Sequence, residues 1–65
     1  MNRYYRLVID LYKEVTHNNN EVNEQSFLST RAEIASAITA ANIAGNDTSE
    51  LEALLNDIDQ LNELT

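Results

Sequence analysis

Residues 3–16 read RYYRLVIDLYKEVT, and the width of their apolar face decides the fold. On a helical wheel at about 100° per residue, Tyr4, Tyr5, Leu7, Val8, Ile9, Leu11, Tyr12 and Val15 fill an arc of roughly 200°. Arg3, Arg6, Asp10, Lys13 and Glu14 occupy the narrow remainder. A helix that buries one side shows a stripe of little over about 100°. This helix must therefore be covered on two sides. In a chain of 65 residues the second cover is expected to come from another copy.

The residues that follow punctuate the chain into helices. His17, Asn18, Asn19 and Asn20 break the periodicity, because asparagine competes for its own backbone and favours turns. Thr30-Arg31-Ala32-Glu33 fits a capping box and argues for a helix start near residue 31. Phe27 stands seven and fourteen residues ahead of Ile34 and Ala41, on the same face, and argues for an earlier start. The second helix is thus expected over residues 22–44 or 30–44, closed by Gly45 in the position that helix C-caps favour. Its alanines and scattered polar residues suit a helix central to a bundle. The third helix is expected over residues 48–63. Asp47-Thr48-Ser49-Glu50 and Ser49-Glu50-Leu51-Glu52 both fit a capping box. Leu51, Leu54, Ile58 and Leu61 recur at 3-4-3 spacing with Leu55 beside them, opposite Glu52, Asn56, Asp59, Gln60 and Glu63. Two heptads are too few for a coiled coil.

Composition supports an all-α fold, a small two- or three-helix bundle forming a single domain over residues 1–65. There is no proline and one glycine, where strands and their turns call for both. So short a chain buries only about 60% of its unfolded surface, and small domains lean on disulfides, metals or partner subunits. With no cysteine and one histidine, assembly as a homo-oligomer is the expected support. The predicted oligomer interface joins Tyr4, Val8, Ile9, Leu11 and Tyr12 of the first helix to Ala37 and Ala41 of the second. No run of 18 apolar residues is present, so no membrane span is expected. Asp10 interrupts the apolar run after Arg3 and Arg6, and no small-residue cleavage site follows, which argues against a signal peptide. The cytoplasm is the expected location, that of the host cell if the chain is phage-encoded.

The side-chain inventory points away from catalysis. His17 lies beside the asparagine turn and reads as solvated. Ser26, Ser29, Ser36 and Ser49 have no histidine at a motif spacing. Asn56, Asp57, Asp59 and Glu63 lie on a leucine-striped helix and cannot wrap a calcium ion as an EF-hand loop does. No catalytic residue, metal site or cofactor is predicted.

Charge distribution is the more informative feature. Net charge is −7, which argues against direct binding of nucleic acid. Three of the four basic residues (Arg3, Arg6, Lys13) lie in the first helix, and six acidic residues and no basic one follow from Asp47 onward. The simplest reading is that the first and third helices pair these charges across their rim, at no more than about 1 kcal/mol per pair. Two functional readings stand beside it. Glu52, Asp59 and Glu63 would form a partner-binding face, complementary to a basic protein surface. Alternatively Arg3, Tyr5, Arg6, Tyr12 and Lys13 would bind a nucleotide or small anion, arginine gripping phosphate and tyrosine stacking on a base. The expected function is a non-catalytic regulatory or inhibitory binding protein acting through self-association and a protein partner. Its composition is of a kind found in phages and other mobile elements. The alternatives are an oligomer that sequesters a nucleotide or small anion, and a structural assembly element or acidic mimic of nucleic acid.

Overall fold

The computed structural model describes residues 3–64, which form three helices: α1 (Arg3–His17), α2 (Glu24–Ala44) and α3 (Ser49–Leu64). No strand occurs among the described residues. The expected all-α bundle is present, in its three-helix form.

Each helix end has a local cause. After α1 the chain reverses through Asn19 and Asn20, at φ 57° and 61°. This is the left-handed region that asparagine tolerates better than most residues. The Asn20 N–H donates to the Val15 carbonyl at 2.9 Å and closes the end of the helix. The start of α2 corrects the capping-box expectation at Thr30. Asn23 is the N-cap, and its side chain accepts from the Ser26 N–H at 3.1 Å. Thr30 lies in mid-helix. The earlier start carries Phe27 into the core, and burial of that ring outweighs a capping box whose hydrogen bonds are each replaceable by helical ones.

Gly45 ends α2 at φ 75°, with its N–H on the Asn42 carbonyl and the Asn46 N–H on the Ala41 carbonyl. This is the Schellman arrangement. A Cβ at Gly45 would meet nothing within 4 Å, so Gly45→Ala isolates backbone strain from clash. It should cost about 1 kcal/mol, read as a lower urea midpoint with an unchanged slope.

At α3 neither expected box is the cap. The Thr48 carbonyl accepts the first helical bond, from Glu52 N–H, while Asp47 Oδ1 accepts from the Ser49 N–H at 3.0 Å and the Ser49 hydroxyl at 2.7 Å. These bonds, the backbone one foremost, hold the Asp47 carboxyl below its usual 3.8. A carboxyl lowered in the folded state stabilises it above the unfolded value, and the benefit is lost as pH falls through the folded value. Asp47→Asn keeps an acceptor but not the charge. The wild type should therefore melt higher than this variant near neutral pH, and the two should converge well below pH 3.8.

The core is Val8, Leu11 and Val15 of α1, Phe27 and Ile34 of α2, and Leu54, Ile58 and Leu61 of α3, with Tyr4, Val22, Ile38 and Leu55 packed around it. Ile34 and Ile58 are wholly buried. The wide apolar arc of α1 thus finds two covers, α2 and α3, within its own chain. Val8 and Leu11, expected at a subunit interface, lie inside this core. The helices run up, down and up: Arg3 of α1 meets Glu33 of α2, and Arg31 of α2 meets Asp59 of α3. Consequently α1 and α3 run parallel. With 21 residues against 15, α2 outruns α1, within overall dimensions of 40 × 21 × 16 Å.

Candidate functional site

Three side chains of α1 escape both covers. Tyr5, Ile9 and Tyr12, at spacings of four and three, lie along one row of the helix and are 45%, 37% and 42% exposed. The row follows the seam with α3, because the Tyr12 hydroxyl donates to the Asp57 carbonyl at 3.4 Å. Thr16 continues it, back-bonded to the Tyr12 carbonyl at 3.0 Å and exposed.

Charges border the row on both sides. Away from α3, Arg6 and Lys13 join Ile9 and Asp10 around a shallow depression of about 200 Å³. On the α3 side, Glu50 and Asp57 are exposed. Tyr12 is level with Asp57, and α1 and α3 run parallel, so Tyr5 is level with Glu50, seven residues earlier in each helix. No ion pair among the described residues engages Arg6, Lys13, Glu50 or Asp57; the pairs formed are Arg3–Glu33 at 3.9 Å and Arg31–Asp59 at 3.1 Å. The expected pairing of α1 with α3 across their rim is therefore corrected. Both pairs run to or from α2, because α1 meets the α3 seam with its tyrosines while its basic residues point elsewhere.

The five residues of the suggested anion site are not gathered around one cavity. Arg3 lies over the Tyr4 ring, 5.2 Å from its centroid, and opens with Ala37 and Glu33 onto a depression of about 410 Å³ between α1 and α2. Arg6 and Lys13 lie on the outer side of α1, and Tyr5 and Tyr12 on the α3 side. Of the suggested acidic face, Glu52 and Glu63 are exposed, while Asp59 already serves Arg31. Among the remaining suggested interface residues, Tyr4, Ala37 and Ala41 are half-buried. His17 is exposed at the end of α1. No titratable side chain is buried, and no group of three or more His, Cys, Asp or Glu is placed to hold a metal ion, both among the described residues.

Two exposures have no counterpart in the sequence reading. Leu28 and Ile43 of α2 are 53% and 84% exposed. Both lie on the outward side of α2, and Ile43 stands near the hairpin tip, inside the uncharged run of residues 34–46. No helix among the described residues is long and apolar enough to cross a membrane. Neither a family model, nor a curated relative, nor a solved structure matches the chain.

Proposed function

We propose that this chain is a non-catalytic binding module of the regulatory or inhibitory kind, acting through self-association and contact with another protein. The observation that carries the reading is the exposed row Tyr5–Ile9–Tyr12. Tyrosine is enriched at protein interfaces because it offers a large apolar body with a polar tip. A row of three on one helix, next to a second helix, is a continuous apolar strip rather than the scattered single exposures that every surface has. The cysteine-free composition supports a cytoplasmic setting.

The test is the mass in solution, by light scattering on a size-exclusion column across a hundredfold range of concentration. The reading expects the mass to rise from the 7.3 kDa of one chain to at least that of two. A mass that stays at one chain throughout would refute self-association.

A further inference from the structure

We infer that the α1–α3 seam is the self-association surface, and that it seats a second copy of this chain with the two α1 helices parallel about a two-fold axis running along them. The inference rests on the reading above and adds the surface, the occupant and the orientation.

The charges on the seam carry the argument. The apolar row of α1 has a basic edge, Arg6 and Lys13, and an acidic edge, Glu50 and Asp57. Each edge carries two charges seven residues apart, about 10.5 Å along the helix. Because Tyr12 is level with Asp57, Arg6 is nearly level with Glu50 and Lys13 with Asp57. A two-fold axis along α1 exchanges the edges between copies while keeping their heights. Each Arg6 then faces the partner copy's acidic edge at the height of Glu50, and each Lys13 faces it at the height of Asp57. Four opposite-charge pairs form around two apposed tyrosine rows. An axis across the helices instead sets basic edge on basic edge and acidic edge on acidic edge. Arg6 and Lys13 match Glu50 and Asp57 in number and height, which makes these four charges self-complementary, with Asp10 lying one step further round α1 beyond Arg6 and Lys13; a face shaped for a basic partner alone would carry no Arg6 or Lys13. Exposed pairs contribute little each. Their work is orientation, as charges across interfaces do more for register than for affinity, while burial of Tyr5, Ile9 and Tyr12 supplies the attraction. The net charge of −7 per chain opposes association at long range, but that repulsion is screened beyond about 8 Å at physiological salt.

Two measurements test this at fixed ionic strength. The chain has no cysteine, so Thr16→Cys introduces a single thiol at the C-terminal end of the row. Parallel helices bring the two thiols within disulfide reach, and antiparallel ones place each opposite the far end of the other helix. Mild oxidation should give a covalent dimer on a non-reducing gel. The second measurement is a charge exchange within one chain. Lys13→Glu should weaken association about tenfold, since two attractive pairs become repulsive. Adding Asp57→Lys restores both the pairing and the net charge, and should recover association. Adding Glu63→Lys instead restores the net charge alone and should not. A dimer by mass that neither crosslinks through Thr16→Cys nor distinguishes Asp57→Lys from Glu63→Lys overturns the proposed surface and orientation and leaves self-association standing. A chain that is monomeric throughout overturns both.

Discussion

Truncating Ile58 to alanine should cost about 2–5 kcal/mol, a large share of the chain's stability. Ile58 is 0% exposed, as is Ile34, and the two are the only fully buried large side chains among the described residues. A domain of this length has a stability of about 0.05–0.15 kcal/mol per residue, so one such cavity removes about half of it. The cavity cannot be shared out, because among the described residues the core holds eight buried side chains and offers few neighbours to relax into the gap. Ile58→Val should cost only about 0.5–1.5 kcal/mol. Ile43→Ala, at a side chain 84% exposed, should change stability by no more than about 0.5 kcal/mol. Urea unfolding of the three variants checks the order. Equal losses at Ile43 and Ile58 would contradict the placement of the core.

Replacing Ile9 with aspartate should abolish association while keeping the fold. Ile9 is the middle residue of the exposed row and contributes nothing to the buried cluster, so a lone chain loses little by the change. In the associated state the new carboxylate is enclosed between tyrosines of two copies and loses its water. An unpaired polar or charged group in such a place costs several kcal/mol, which lowers the association constant on the order of a hundredfold. Far-UV circular dichroism should be unchanged and the light-scattering mass should fall to that of one chain. Leu28→Asp, at a comparably exposed side chain of α2, should leave the mass as it is. The opposite pattern would move the self-association surface from α1 to the outer side of α2.

The helices differ in how openly the sequence declares them. For α3 it does so through the 3-4-3 leucine spacing, and Leu54, Ile58 and Leu61 are indeed buried. The start of α2 was hidden by competing local signals: the box at Thr30 is a correct motif in the wrong place, overruled by the burial of Phe27. The arc of α1 announced two covers but not their source, because a wheel cannot distinguish the chain's own helices from those of a copy. Two covers within the chain bury Val8, Leu11 and Val15 and leave Tyr5, Ile9 and Tyr12 outside. Of the residues the wheel assigns to an interface, Ile9 and Tyr12 are exposed, while Val8 and Leu11 are buried within the chain. Glu50 and Asp57 were visible as acidic residues, but their relation to Tyr5 and Tyr12 depends on the parallel alignment of α1 and α3. No periodicity within a single helix encodes that alignment.

The most direct test of the central claim, that the row on α1 is covered when the protein is at work, is backbone amide NMR of the wild type followed from dilute to concentrated solution. Chemical-shift changes should concentrate at Tyr5, Ile9, Tyr12, Glu50 and Asp57 and saturate together, with Leu28 and Ile43 unmoved. Shifts that stay constant across the range, or that centre on Ile43 and the tip of the α2–α3 hairpin, would contradict it.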